Sequence, residues 1–218
     1  MNETLLTALA VIPALVIAIV FHEVAHGWAA LALGDPTAKE RRRLSLNPVR
    51  HVDPIGTLIL PGLLALTGAP VFGWAKPVPV IKERLDNPRF GMMAVAAAGP
   101  GTNFILAAIG AVVLGLLARG TTPPEGLFGF SVVALQFFIM INIFLGLFNL
   151  LPLPPFDGSH IVEGLLPPRA ARTYEKLRPF GFPLLFLLLL VIPWFFPGLG
   201  IVERVVLPPV LWAEGKYM

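Results

Sequence analysis

The sequence contains no cysteine and very little serine, the two side chains that most often serve as nucleophiles. The absence of cysteine excludes disulfide bonds, thiolate zinc sites and a cysteine nucleophile. Serine occurs only as Ser45, Ser131 and Ser159, and no Gly-x-Ser-x-Gly sequence is present. A serine hydrolase of the kind that uses such a nucleophile elbow is therefore not indicated.

Charged residues are scarce as well. They make up 13% of the 218 residues, about half of the roughly 25% that is usual in soluble domains. Apolar residues make up 56% before glycine is counted, against about 45–50% with glycine included in a soluble domain. This composition excludes a soluble enzyme and a disordered chain. It also argues against a nucleic-acid partner, because the pI of 9.6 reflects a net charge of only +3, carried in short clusters between apolar runs.

The apolar residues form runs of the length that a bilayer requires, since a spanning helix needs about 20 of them. We predict an α-helical polytopic membrane protein, a bundle of about four to six membrane helices in a single domain over residues 1–218. A charge pair inside the last run indicates an interfacial helix or a short span there. The runs cover residues 5–33, 55–75, 90–118, 127–151, 180–196 and 198–212.

Basic residues between the runs predict the orientation in the membrane. They are concentrated after the runs at 5–33, 55–75 and 127–151, whereas residues 119–125 have no excess of positive charge. By the positive-inside rule, the first three loops are cytoplasmic and the last is external. The N-terminus is then expected on the outer side.

The run at 55–75 differs from the others, because both of its flanks are basic and glycine and proline interrupt it. A single span cannot have both ends on one side of the membrane. We therefore expect a re-entrant or hairpin element that is buried against protein, where irregular backbone is tolerated. Val78 and Val80, next to Pro77 and Pro79, favour a short β segment near the cytoplasmic face.

Three ionisable residues stand inside the first apolar run, in the sequence Phe21-His22-Glu23-Val24-Ala25-His26. Histidines four positions apart lie on one face of a helix. The pattern His-Glu-x-x-His is typical of zinc peptidases, in which the glutamate is the general base. Because an ionisable group inside a membrane is costly unless it is partnered or functional, this context favours a metal site.

Two histidines do not complete a catalytic zinc site, which takes three protein ligands and leaves one position open. His51 and His160 are the other histidines of the chain. Asp157 follows the fourth run in a proline-rich, rigid sequence and is the favoured third ligand, although an aspartate before a helix is also an ordinary N-cap. Charge counting places Asp157 and His22 at the same depth, near the cytoplasmic ends of their runs.

Together these features make the sequence similar to the site-2 proteases, a family of intramembrane zinc metalloproteases, and within it to the small prokaryotic branch without PDZ or CBS domains. The resemblance covers nearly the whole chain. The motifs that carry it are Phe21-His22-Glu23-Val24-Ala25-His26-Gly27, Leu33-Gly34-Asp35-Pro36-Thr37-Ala38, Leu46-Asn47-Pro48, His51 to Thr57, Gly73-Trp74-Ala75-Lys76-Pro77, Gly99-Pro100-Gly101-Thr102-Asn103, and Asn149 to Gly158.

The resemblance implies that His22, His26 and Asp157 bind one Zn²⁺ per chain and that Glu23 is catalytic. It implies an endopeptidase that cleaves transmembrane proteins in or near their membrane segments, with zinc-bound water as nucleophile and Glu23 as general base. Asn149 matches the asparagine that the family places beside the metal, where it either donates to the oxyanion or bonds to a neighbouring helix. Asn142 lies two turns deeper and favours a bond between helices.

Two other functions are compatible with a metal site in a membrane protein. A metal transporter would show several ligand clusters along a path, and the sequence shows one. A catalytically inactive binding protein would have lost Glu23 or Asp157, and both are present. We therefore expect a multi-pass endopeptidase of a prokaryotic inner membrane, with its active site near the cytoplasmic face and with lipid, but no nucleic acid, among its partners.

Overall fold

The computed structural model describes residues 3–67, 73–117, 126–196, 204 and 206–217. Across these residues the fold is helical. The α-helices are α1 (Glu3–Ala32), α2 (Thr37–Glu40), α3 (Leu60–Thr67), α4 (Pro88–Leu117), α5 (Gly126–Asn149), α6 (Asp157–Leu165), α7 (Pro168–Glu175), α8 (Gly181–Phe186), α9 (Ile192–Phe195) and α10 (Leu207–Tyr217). Short 3₁₀ turns cover Pro48–His51, Lys82–Arg84 and Arg178–Phe180, and π turns cover Pro54–Ile59 and Leu187–Val191.

Helices α1, α4 and α5 are long and apolar enough to cross a membrane, and they coincide with the predicted runs at 5–33, 90–118 and 127–151. The three pack against one another. Small residues spaced by four along α1, Ala10, Ala14 and Ala18, are buried in this packing. Such spacing lets membrane helices approach closely. The helical polytopic membrane fold predicted from the sequence is therefore confirmed.

The outward faces of these helices are apolar. Ile12 and Trp28 on α1 are 59% and 58% exposed, and Ile105 and Val112 on α4 are 60% and 64% exposed. In water, large exposed apolar side chains in such density would be unfavourable. In a bilayer they face hydrocarbon, which matches the apolar runs read from the sequence.

The run at 55–75 folds back so that its last residues contact its first ones. It begins with the π turn and α3, and the apolar helical stretch Pro54–Leu64 is too short to span a membrane. The backbone N–H of Trp74 donates to the carbonyl of Gly56 at 3.1 Å. Gly73 lies so close to Gly56 that a Cβ atom would overlap the Gly56 carbonyl oxygen. The predicted hairpin thus has its two ends in contact, and residues 68–72 lie outside the described part.

The predicted β segment around Val78 is wrong for the described residues, which contain no strand. The backbone there is extended, but its N–H groups find other partners. Lys76 N–H donates to the carbonyl of His51, and Val78 N–H donates to the side chain of Glu23. In a β-sheet these N–H groups would donate to a neighbouring strand. Here they donate to a loop carbonyl and to a side-chain carboxylate instead. We call residues 73–81 the extended segment.

The C-terminal part is helical from Gly181 to Phe195, in the region of the predicted run 180–196. A π turn in its middle and prolines near both ends shorten its regular stretches. Helix α10 packs against α5. Within the predicted segment 198–212, only residues 204 and 206–212 are described, and Val206 and Val210 are buried.

Candidate metal centre

Helix α1 presents two imidazoles on one face at one depth. His22 is buried and His26 is half-buried. Their Nε2 atoms lie 3.0 Å apart, and the rings meet edge to face. Separation by four residues accounts for this, since such side chains stand one above the other on a helix. Two nitrogen atoms with lone pairs directed at the same point are the first half of a metal site.

Asp157 completes the cluster from the other side. Its Oδ2 atom lies 3.1 Å from Nε2 of His22 and 3.3 Å from Nε2 of His26. This oxygen is buried and has no hydrogen-bond partner among the described residues. The three side chains are the ones that the structure brings within metal-binding distance of one another.

The geometry of these atoms fits zinc. Tetrahedral zinc with bonds of about 2.0–2.2 Å holds its ligand atoms about 3.3–3.6 Å apart. The three separations in the cluster, 3.0, 3.1 and 3.3 Å, approach that spacing. Two imidazoles and one carboxylate are also a common catalytic donor set for zinc. A buried carboxylate oxygen without a hydrogen-bond partner, beside two imidazoles, therefore fits the coordination of a cation.

The turn between α5 and α6 delivers Asp157 to this point. Asp157 is the first residue of α6, and the N-cap is Phe156, with no side-chain hydrogen bond at the cap. The carboxylate is therefore free of the capping role that the sequence left open. The next residue must be glycine, because a Cβ on Gly158 would overlap the carbonyl oxygens of Leu150 and Leu151.

The second nitrogen of each imidazole is also held. Nδ1 of His26 donates to the carbonyl of Val95 at 2.7 Å, and Nδ1 of His22 donates to Oδ1 of Asn103 at 2.6 Å. Both acceptors lie on α4. Donation from Nδ1 leaves the Nε2 lone pair available for a metal, and such outer partners orient metal-binding histidines. Sequence reasoning gave Asn103 no role, although a buried asparagine in an apolar helix was a usable signal.

Glu23, between the two histidines, contacts the extended segment. Its Oε2 accepts the backbone N–H of Val78 at 2.8 Å. The guanidinium of Arg43 donates to the carbonyl of Lys76 at 2.7 Å, and its positive charge acts on Glu23. The carboxylate of Glu23, beside the cluster of His22, His26 and Asp157, is thus fixed by a main-chain donor and lies near the positive charge of Arg43.

Asn149, the remaining predicted site residue, makes no hydrogen bond to this cluster among the described residues. The amide of Asn149, at the end of α5, donates to the carbonyl of Leu145 in its own helix at 3.0 Å. Asn142 accepts a hydrogen bond from Asn103 at 2.9 Å, which is a bond between α5 and α4. The interhelical bond that the sequence favours for Asn142 is therefore present.

The other two histidines have separate partners. His51 is buried and its Nε2 donates to the carbonyl of Ser45 at 2.7 Å. His160 lies on α6, where its Nδ1 is 3.1 Å from the guanidinium of Arg178. Neither is part of the cluster formed by His22, His26 and Asp157.

Comparison with known proteins decides the family. The sequence profile of peptidase family M50 matches residues 128–192, which include Asn149 and Asp157. The Bacillus subtilis protein named "Putative zinc metalloprotease YwhC" is 42% identical over 201 residues, which cover 88% of this chain and 87% of that protein. The chain belongs to peptidase family M50. This confirms the resemblance to the site-2 proteases and makes the chain a metalloprotease.

More distant M50 relatives agree. "Putative zinc metalloprotease Rip2" of Mycolicibacterium smegmatis is 30% identical over 179 residues, 80% of this chain and 65% of that protein. The protein of the same name from Mycobacterium tuberculosis strain H37Rv is 29% identical over 197 residues, 85% of this chain and 70% of that protein. No solved structure matches the chain. With three helices of membrane length among its described residues, this M50 peptidase is a membrane protein.

Proposed function

We propose that this M50 peptidase is a zinc-dependent intramembrane endopeptidase, in which residues 1–218 form one protease domain. The observation that carries the proposal is the convergence of Asp157 on His22 and His26, which lie on either side of Glu23 in a helix long enough to span the bilayer. Zinc is named in the relatives' descriptions, and the donor set fits it. Buried ionisable groups at membrane depth are retained where they have a function.

Each polar group of the cluster has a definable part in peptide hydrolysis. His22, His26 and Asp157 would hold one Zn²⁺, which supplies a Lewis acid that polarises a carbonyl and acidifies water. Glu23 takes a proton from the attacking water and passes it to the leaving amine. The Val78 N–H fixes one carboxylate oxygen of Glu23, so that the other is available for the proton.

Asn149 is proposed to stabilise the oxyanion of the tetrahedral intermediate. Its amide donates to Leu145 within α5 in the present structure. The proposed role requires that the side chain turn from this carbonyl when substrate is bound. It stands eight residues before Asp157, at the end of the helix that leads to the metal cluster.

We propose transmembrane proteins as substrates and the extended segment as the element that receives them. A peptide bond inside a helix has to be unwound before it is attacked, and an unwound strand can pair with exposed backbone. Trp74, Lys76 and Val78 donate their N–H groups to the protein itself. The backbones of Ala75, Pro77 and Pro79 take no part in the hydrogen bonds of the described residues, and the two prolines have no N–H to offer. The extended segment can therefore accept hydrogen bonds from the backbone of a substrate more readily than it can donate them.

The orientation is proposed from charge. The N-terminus lies outside, and the metal cluster lies near the cytoplasmic face of a prokaryotic inner membrane, where anionic headgroups and basic loops meet. A metal transporter is the alternative that the cluster alone would allow. Among the described residues, however, His22, His26 and Asp157 form the only such cluster, and it lies beside a glutamate that a transporter would not need.

The proposal is tested by two variants of the full chain, purified in detergent. Glu23→Gln should keep about one zinc per chain and lose cleavage of a membrane substrate, because the amide cannot take a proton. His26→Ala should lose both zinc and cleavage. Activity in Glu23→Gln would overturn the assignment of the general base, and full zinc content in His26→Ala would overturn the assignment of the ligands.

A further inference from the structure

A row of hydrogen bonds leads from His22 away from the metal cluster, across three helices. Nδ1 of His22 donates to Oδ1 of Asn103 on α4 at 2.6 Å. Nδ2 of Asn103 donates to Oδ1 of Asn142 on α5 at 2.9 Å. Nδ2 of Asn142 donates to the carbonyl of Phe138 at 2.8 Å. Each side chain in the row donates to the next one, in the direction away from the metal cluster. Both asparagines are fully buried, so water cannot replace a lost hydrogen-bond partner.

The direction of this row is fixed at its far end. The carbonyl of Phe138 can only accept, so the NH₂ group of Asn142 must face it and Oδ1 must face Asn103. The NH₂ group of Asn103 has a second acceptor of the same kind, the carbonyl of Ala18, at 3.2 Å. If either amide turned over, oxygen would face oxygen inside an apolar bundle, which is costly.

We propose that Asn103 and Asn142 are positioning residues that hold His22 in the tautomer with hydrogen on Nδ1 and the Nε2 lone pair towards the metal. Asn103 acts directly. Asn142 acts through Asn103, and its own hydrogen bonds are to Asn103 and Phe138 rather than to any of the three candidate ligands. This inference rests on the proposed zinc site. It assigns the buried pair a task beyond the ordinary one of joining two membrane helices.

The two histidines differ in how they are supported. His26 donates to a main-chain carbonyl, that of Val95, which cannot turn over. His22 depends on a side-chain amide that is itself oriented by another side chain. Substitution of Asn142 on α5, two hydrogen bonds away from His22, should therefore weaken the retention of zinc. A pair that merely joined helices would show no such coupling.

The experiment measures the rate at which zinc passes from the purified full chain to a chromophoric chelator, together with the visible spectrum of the Co²⁺-loaded protein. Loss of an outer partner of a metal-bound histidine typically weakens binding about 10–100-fold. Asn142→Leu should accelerate zinc release about tenfold. Asn103→Leu should accelerate it further, and both should change the Co²⁺ spectrum.

Two further variants separate hydrogen bonding from packing. Asn103→Asp keeps an oxygen that accepts from His22, and its protonated form can donate to Asn142, so zinc release should stay near the wild-type rate. Ser131→Ala is the matched control on α5, because the hydroxyl of Ser131 donates to the carbonyl of Leu127 in its own helix at 2.9 Å and is remote from the row. It should release zinc as the wild type does.

Gel filtration and thermal melting establish that each variant is folded. If Asn103→Leu does not fold, Asn142→Leu and Asn103→Asp are sufficient to test the proposal. Wild-type release from Asn142→Leu would overturn the proposal and leave the pair as a link between helices. Fast release from Asn103→Asp would also overturn it, since the acceptor is retained. A failure of the zinc site itself would look different, because His26→Ala would then hold zinc normally.

Discussion

Gly99 on α4 packs its bare backbone against the imidazole of His26. A Cβ atom on Gly99 would lie 2.6 Å from Nε2 of His26 and 2.6 Å from Cε1 of His22. Helix α4 thus lies directly against the candidate ligands on α1 at this position, and it also supplies the Val95 carbonyl and the Asn103 amide that hold the two rings. Any side chain at position 99 would occupy the space of the imidazoles.

Gly99→Ala should therefore reduce zinc binding while leaving the membrane fold in place. Forcing one methyl group into packed surroundings costs about 1–3 kcal/mol, which corresponds to a loss of affinity of about 5–150-fold. Zinc content after dialysis against a weak chelator gives the comparison. Gly101→Ala is the control, since a Cβ there meets nothing within 4 Å. Equal zinc content in the two variants would contradict this account of the packing.

Gly73→Val tests the hairpin. A side chain at position 73 would overlap the carbonyl oxygen of Gly56 and press on Pro61, so the extended segment must shift. We expect normal zinc content, near-normal stability and impaired cleavage of a spanning substrate. A short unstructured peptide, which needs no unwinding, should be cleaved with a smaller loss.

Gly62→Val is the control for this variant, because a Cβ at position 62 has open space around it. Its cleavage of both substrates should match the wild type. If Gly73→Val lost activity equally on both substrates, general distortion of the site would be the cause. If it lost none, the hairpin would only fill space in the fold.

The membrane helices and the three candidate metal ligands can both be predicted from the sequence. Helices α1, α4 and α5 follow from apolar runs, because the bilayer sets their length. His22 and His26 stand out because ionisable groups are rare in such runs, and Asp157 because a proline-rich turn follows a span. These signals are local in the sequence, or are set by the membrane.

The contacts that support the cluster come from distant parts of the chain. Asn103 bonds to His22 across 81 positions, and Val78 bonds to Glu23 across 55. No periodicity connects such pairs. The prediction of a β segment near Val78 was wrong for the same reason. It rested on the local pattern of valine and proline, whereas the N–H of Val78 donates to Glu23 on α1.

The stability of the protein should depend on pH through Glu163 on α6. Lys82 Nζ lies 2.7 Å from its Oε1, and Arg178 pairs with its Oε2. Burial alone would raise the pKa of Glu163, but the hydrogen bond from Lys82 and the nearby charges outweigh it and hold the pKa below its ordinary value. The ion pairs then stabilise the fold above the ordinary glutamate pKa of about 4.3, and this contribution is lost as pH falls through the lower folded pKa.

Glu163→Gln measures that contribution. Near neutral pH it should lower stability by about 1–2 kcal/mol, a discounted value because Lys82 and Arg178 are partly exposed. The difference in melting temperature between the wild type and this variant should shrink as pH falls below the ordinary value. A difference that stays constant down to strongly acidic pH would show that the ion pairs contribute nothing.

Single cysteines should report the topology, since the native chain has none. Lys39 and Ala170 are exposed in the structure. Lys39→Cys and Ala170→Cys should react with an impermeant thiol reagent only from the cytoplasmic side, whereas Thr121→Cys should react from outside. External labelling of Ala170→Cys would contradict the proposed orientation and place Asp157 at the wrong face of the membrane.

The binding of zinc by His22, His26 and Asp157 can be observed by anomalous X-ray scattering at the zinc edge, from crystals of the zinc-loaded full chain. We expect one zinc peak per chain, about 2.0–2.2 Å from Nε2 of His22, Nε2 of His26 and Oδ2 of Asp157. A peak coordinated by His51 or His160 instead, or zinc-loaded crystals with no peak between α1 and α6, would contradict it.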